Sequence, residues 1–416
     1  MKISLMIAIV YVILNLGFAI SAHAEVIKIA LIENLSGTFA ALGQNELRTY
    51  QMLLDNANRQ QLAGPGNTFE VVGFDGKGSA QESLSQLKTV IDKNFRYITQ
   101  GNSSGVALAL VEALNKHNAR NPGREIVFLN FQSIDPDLTN SKCSFWHFRF
   151  DGNTEMKMEA LSSAAAKNPN VHKIFIIGQD YAHGRQFSAA AKEQLARKRP
   201  DSEIVGDVLH PIATVKDFSP YVAKIKASGA DTVFTGNFGN DLALLVRAAK
   251  EASLDVTFYT FYAGTAGVPT AIGSAGAGKV KTVVSWIPNN DTGSGHLIAD
   301  QFYKTYHEDF WVSSIYNAVQ LLAKGIKAAN SADPIKVAYA MENLQGEGMN
   351  GTVKMRGTDH QLQQAQFVAT WEKFDGKIVK YEQEKTGYGW KMDERLEAYV
   401  GTRPTSCQME RPQRPM

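Results

Sequence analysis

Lys173-Ile174-Phe175-Ile176-Ile177-Gly178-Gln179-Asp180-Tyr181-Ala182-His183-Gly184 is the stretch from which the organisation of this chain can be read. Its apolar residues are consecutive, the pattern of a strand buried on both faces. A polar turn follows, and then a helix pattern from about Gly184 to Lys198. The same unit already occurs upstream. Val26 to Ile32 reads as a strand and Leu42 to Arg59 as a helix. Phe69 to Phe74 is a second strand, and Ser79-Ala80-Gln81-Glu82 is a capping box opening a helix with Leu84, Leu87 and Ile91 on one face. A strand from Phe95 to Thr99, a helix from Val106 to Leu114 and a strand from Ile126 to Leu129 complete the first run. After residue 173 the alternation restarts with strands near Glu203–Leu209, Asp231–Gly236 and Val256–Phe261, separated by helices near Phe218–Ala227 and Asp241–Ala252. Two such runs predict an α/β fold of two doubly wound parallel-sheet lobes. Residues 293–345 read as mostly helical. Phe367–Trp371 and Ile378–Tyr381 then flank Asp375-Gly376, a hairpin signal.

The amino terminus fixes the compartment. Lys2 precedes an apolar run over residues 4–20, and Ser21-Ala22-His23-Ala24 is a small-residue cleavage pattern before the polar Glu25. Residues 1–24 are predicted to be a signal peptide cleaved after Ala24, and the protein to be periplasmic. The competing reading is an uncleaved anchor. No Cys follows the run, so no lipid anchor is expected, and nothing later is long and apolar enough to span a bilayer. What remains is too long for one ordinary core. A formal net charge of +2 without a basic stripe argues against nucleic acid as a partner. Cys143 and Cys407 are the only two cysteines, and in an oxidising compartment they read as a disulfide; two free thiols are the alternative. The nine His show no metal-ligand spacing, so neither metal nor cofactor is predicted.

Three motifs sit where chemistry could be done. Gly101-Asn102-Ser103-Ser104-Gly105 matches G-x-S-x-G between a strand and a helix, the setting of a serine-hydrolase elbow. The same turn makes an anion site, because free N–H groups and the helix dipole favour a carboxylate there. A purely structural turn is the third reading. The anion site is preferred, since no oxyanion loop lies upstream and nothing links Ser103 to Asp231, His296 or His307. Gly273 to Lys279 approaches a phosphate loop but has Val280 where Ser or Thr should bind magnesium, and reads as a glycine-rich connection. The turns Gly178–Gly184, Gly236–Asn240 and Phe261–Gly264 each carry an aromatic or His, and in a doubly wound sheet such turns face the ligand.

With these residues in place, the chain resembles the periplasmic branched-chain amino-acid (Leu/Ile/Val) binding proteins, type I solute receptors of ABC importers. Ile29–Ile32 with Leu35-Ser36-Gly37-Thr38-Phe39-Ala40, Asn102–Ala107, Asp135–Thr139, Asp180–Gly184, Asp217–Pro220 and Ile225–Asp231 carry the likeness. The resemblance implies two lobes joined by a three-segment hinge: 25–148 with 278–350, and 149–277 with 351–400, followed by a tail at 401–416. It implies no enzyme, but a monomeric receptor that captures a small solute by lobe closure and delivers it to ABC permease membrane subunits. Carried over by position, Ser103 and Ser104 hold the ligand carboxylate, and Gln132 and Ile134 contact the head group. His183 stands where Tyr is usual, Phe238 lines the pocket beside Tyr181, and Leu42 stands where an aromatic is common. Tyr262 or Ala263 falls where amino-acid binders place an acid for the ammonium. Ile134 cannot donate a side-chain hydrogen bond, and an ammonium buried without a counter-charge is expensive. The expectation therefore leans from a branched-chain amino acid toward an aromatic acid or amide, the alternative being that Asp135 or Asp180 supplies the missing charge. The rival classes are a secreted serine hydrolase using Ser103, and the sensing half of a signalling receptor, which normally needs a spanning helix not found in this sequence.

Overall fold

The computed structural model describes residues 25–289 and 295–415; the predicted signal peptide lies outside the described residues. Strands β1 (Val26–Glu33), β2 (Thr68–Asp75), β3 (Tyr97–Gln100), β4 (Val127–Asn130) and β5 (His147–Arg149) form one sheet in the order β2-β1-β3-β4-β5, parallel throughout. Between them run α1 (Ala40–Arg59), α2 (Ala80–Asp92) and α3 (Ser104–Arg120). After α4 (Thr154–Lys167) the unit repeats. Strands β6 (Lys173–Gln179), β7 (Glu203–His210), β8 (Thr232–Thr235), β9 (Thr257–Thr260) and β10 (Val280–Val284) are parallel, with α5 (Ala182–Lys198), α6 (Ser219–Ala227), α7 (Gly239–Glu251) and α8 (Val268–Ile272) in the connections. Helices α9 (Gly295–Tyr306), α10 (Ser313–Ala329) and α11 (Pro334–Met341) follow. Next come a small antiparallel sheet of β11 (Gln345–Gly348), β12 (Gly351–Met355) and β13 (Leu362–Gln363), and the antiparallel pair β14 (Gln366–Lys373) and β15 (Tyr388–Leu396), before α12 (Ala398–Gly401). The second sheet runs β15-β14-β10-β9-β8-β6-β7.

Side-chain alternation explains why both sheets are covered on both faces. Ile27, Ile29 and Leu31 enter a core shared with α10, while Ala30 and Ile32 enter a second core shared with α2 and α3. In the other lobe Phe175 and Ile177 pack toward α6 and α7, and Ile174 and Ile176 toward α4 and α5.

Three expectations need correction. Val280–Val284, expected in the first lobe, is hydrogen-bonded between β9 and β14 in the second sheet. Residues beyond 350, expected in the second lobe, include Val353, Met355 and Leu362, which are buried in the first lobe's core. Ile378–Tyr381 is not the return strand of a hairpin. Asp375 Oδ1 accepts the N–H groups of Lys377, Ile378 and Val379, and Asn289 Oδ1 accepts those of Lys380 and Tyr381, so these donors are unavailable to a ladder. β14 pairs with Tyr388–Leu396 instead.

The chain crosses between lobes near Asp151, Ser285 and Gln364, and polar side chains lace the crossings together. Ser285 Oγ lies 3.1 Å from Asp151 Oδ1, and Gln361 Nε2 donates to the Asp151 carbonyl at 2.8 Å. Gln364 Nε2 donates to the Phe150 carbonyl at 2.9 Å. The buried Arg149 guanidinium donates to Gln361 Oε1 and the Asp135 carbonyl. A disulfide joins Cys143 to Cys407, with Cα atoms 5.7 Å apart.

Candidate functional site

The site grows from the carboxyl ends of β3 and β4 on one lobe and β6, β8 and β9 on the other. Each parallel strand ends on a turn that faces the gap between lobes, which is where open α/β sheets bind ligands. Leu42, Asn102, Ser103, Ser104, Gln132 and Ser133 line the gap from the first lobe, with Trp311 from the loop before α10. Tyr181, His183, Phe238, Tyr262 and Thr265 line it from the second.

On the first lobe, Ser103 is the N-cap of α3, and its Oγ accepts from Val106 N at 3.4 Å, leaving the hydroxyl proton free to donate. Beneath the turn, the buried Glu33 carboxylate accepts from Gly101 N at 2.6 Å and Asn102 N at 2.8 Å. Asn102 Nδ2 bridges Glu33 and Glu46. The Gln100 amide, turned so that its oxygen faces the loop, accepts from Asn102 N and Ser103 N at 3.0 Å each. Much of the turn's donor capacity is therefore spent inside the protein, and what faces the gap is chiefly hydroxyl. Burial raises the Glu33 carboxyl above the usual carboxylate range; burial and the neighbouring Glu33 raise Glu46 well above it.

The second lobe presents an aromatic wall. Tyr181 and Phe238 are the N-caps of α5 and α7, and neither side chain caps its helix, so both rings are free to face the gap. The His183 ring lies 5.7 Å from Tyr181 and 5.6 Å from Tyr262, and Phe238 lies 6.0 Å from Tyr262. Phe39 of the first lobe meets Phe238 at 5.1 Å, closing the wall across the gap. Burial depresses His183 from its usual 6.5 to about 4, so the ring is neutral. Apart from a weak approach to the Gly236 backbone, neither of its nitrogens has a hydrogen-bond partner among the described residues. Gln132 Oε1 and Trp311 Nε1 are likewise buried and unpaired. Such groups are normally satisfied, and here the residues that carry them line one space.

That space has two compartments. The inner one, of about 30 Å³, is bounded by the residues above and has no Asp or Glu in its wall. It shares Gln132, Tyr262, Thr265 and Trp311 with an outer compartment of about 440 Å³, within the range of roughly 300–1,000 Å³ common for small-molecule sites.

Of the residues singled out in the sequence, Leu42, Ser103, Ser104, Gln132, Tyr181, His183, Phe238 and Tyr262 all border the inner compartment, and Ile134 does not. Ile134 is buried in the core with Met158 and Phe187, and only its carbonyl does polar work, accepting from Thr154 N and Oγ1. Trp311 and Thr265 escaped sequence reading. Trp311 lies in a stretch read as helical, and no local pattern distinguishes it. Ser103 has no hydrogen bond to His183, and Asp231 is spent on the N–H groups of His172 and Lys173.

Two parallel-sheet lobes joined by three crossings, with facing strand ends around a lined gap, define the type I periplasmic binding fold. The periplasmic binding protein family profile matches residues 26–377, and the chain belongs to that family. It is 31% identical over 99% of both chains to the Leu/Ile/Val-binding protein homolog 4 of Brucella abortus. The closed-conformation structure of the leucine-, isoleucine-, valine-, threonine- and alanine-binding protein of Brucella ovis superposes with a TM-score of 0.84, at 28% identity, covering 94% of this chain and all of that one. An R. palustris ABC transporter solute-binding protein solved with 4-hydroxybenzoate shares the fold, with a TM-score of 0.76 at 20% identity over 90% of this chain and 98% of that one. This chain is accordingly a periplasmic solute-binding protein of the ABC importer class, taking a small molecule and working with a membrane permease.

Proposed function

We propose that the mature chain starts at Glu25, acts as a monomer without catalytic chemistry or a nucleic-acid partner, and shuts its lobes on a small solute with a carboxylate or amide head and an apolar, preferably aromatic, body. The lobes moving against each other are taken as 25–150 with 286–363, and 151–285 with 366–396. The observation that carries this reading is the set of unpaired buried polar atoms on His183 and Trp311, grouped with the Ser103 hydroxyl around one gap. A solute that satisfied them in the closed form and not in the open one would drive closure. The amino-terminal ends of α3, α5 and α7 converge there, favouring negative charge. The inner wall supplies no acid for an ammonium. The R. palustris relative's aromatic acid supports the same direction.

A free branched-chain amino acid is the second reading, favoured by the unpaired acceptor Gln132 Oε1 and by the names of the Brucella relatives. A thermal-shift screen of aromatic acids, amides and aliphatic amino acids, with mass spectrometry of solute released on denaturation, tests the two. Stabilisation by benzoate-type acids is expected; stabilisation by leucine alone would reverse the order.

A further inference from the structure

The outer compartment contains a charged group that the reading above does not use. Lys157, on α4, lines it with a side chain only 4% exposed. Its ammonium sits 2.8 Å from Asp151 Oδ2 and 5.9 Å from the centre of the Tyr262 ring, the ring that both compartments share. Both Asp151 oxygens have protein partners: Oδ1 accepts from Gly152 N at 2.8 Å and faces Ser285 Oγ at 3.1 Å, and Oδ2 holds Lys157. The ammonium has three donors and one protein partner in hydrogen-bond range among the described residues, so donors remain to be turned to an occupant of the compartment. The inner compartment is of the order of a few waters in size, so a solute whose head lies there must put its body in the outer one, alongside Tyr262.

We propose that Lys157 is a specificity residue for a second acidic group on the solute, and that the preferred ligands are dicarboxylates: one carboxylate at Ser103, His183 and the unpaired Trp311 Nε1, the other on the Lys157 ammonium. This rests on the reading of the gap as the solute site. A charge-assisted hydrogen bond in a water-poor space is among the stronger polar contacts, and a monocarboxylate would leave those ammonium donors unmatched. The Lys157–Asp151 pair alone does not require the site, because Lys157 also serves as counter-ion to a hinge carboxylate; the test separates the two roles.

Titration calorimetry on the mature, disulfide-bonded protein compares terephthalate with benzoate, and adipate with hexanoate. In the wild type at least one dicarboxylate is expected to bind about tenfold or more tightly than its matched monocarboxylate. Lys157→Met is expected to reduce that preference to within about threefold. Because this variant strands Asp151, the double variant Lys157→Met/Asp151→Asn removes the pair together, and it should show the same lost preference with cooperative unfolding. Equal affinity for both members of each pair in the wild type, or a preference that survives in both variants, overturns the role of Lys157 while leaving the carboxylate site standing. If none of the four acids binds, the carboxylate reading of the gap fails, and this proposal fails with it.

Discussion

At the scale of single residues, the site depends on groups whose polarity is unmet by the protein. Ser103 offers one hydroxyl proton to the gap while its oxygen caps α3. Ser103→Ala is expected to weaken solute binding by about 1–3 kcal/mol, the cost of leaving a buried polar partner unmatched. Calorimetry with the solute found in the screen measures it, and unchanged affinity would remove Ser103 from the site. His183 makes a second prediction. Its folded pKa of about 4 lies below the usual 6.5 because burial disfavours the imidazolium. Between those values the unfolded chain binds the extra proton. The stability that this residue contributes is therefore complete above pH 6.5 and is lost as pH falls toward 4, by on the order of 3 kcal/mol. His183→Gln should flatten that part of the acid slope in urea unfolding at pH 7, 5.5 and 4; an unchanged slope would place the acid sensitivity elsewhere. His183 was visible in the sequence as a His on a strand-to-helix turn, but its unpaired nitrogens were not, because pairing depends on distant side chains.

Secondary-structure elements carry the next level. The turns after β6, β8 and β9 deliver the aromatic wall, and in the first of them a glycine lets backbone approach backbone. A Cβ on Gly184 would stand 1.8 Å from the Gln179 carbonyl oxygen, so α5 can start against β6 only with glycine there. Gly184→Ala is expected to destabilise the protein by about 1–3 kcal/mol and to weaken binding by displacing Tyr181 and His183; chemical denaturation and calorimetry read the two effects separately. These turns were legible because a consecutive apolar strand, a polar turn and a periodic helix leave a local signature. The partner of β14 was not. Asp375-Gly376 does make a turn, yet the carboxylate and Asn289 take the donors that a short hairpin would need. The strand β5, three residues with His147 and Arg149 at its ends, has no apolar run to announce it.

For the molecule as a whole, the carboxyl-terminal tail matters as much as the three crossings. It leaves β15 and α12 in the second lobe, where Arg403 pairs with Glu159 on α4. It then returns to the first: Thr405 Oγ1 donates to the Thr139 carbonyl at 2.7 Å, Cys407 is bonded to Cys143, and Tyr339 Oη donates to the Pro412 carbonyl at 2.7 Å. This is a fourth link between lobes, and a covalent one. Cys407→Ala is expected to lower unfolding free energy by about 2–4 kcal/mol and to widen the ligand-free form in X-ray scattering. Identical denaturation midpoints and scattering curves would mean that the tail's ion pairs and hydrogen bonds suffice.

The sequence by itself determined the two-lobed α/β architecture and most of the turns that meet at the gap, because strand and helix periodicity and turn chemistry are local properties of the chain. Tertiary structure alone decided where β10 and β12 lie, that Ile134 is core, and that Trp311 and Lys157 reach the space between lobes. Those outcomes depend on which surfaces are buried together and on which polar atoms are left without partners, and neither quantity exists until distant segments have packed.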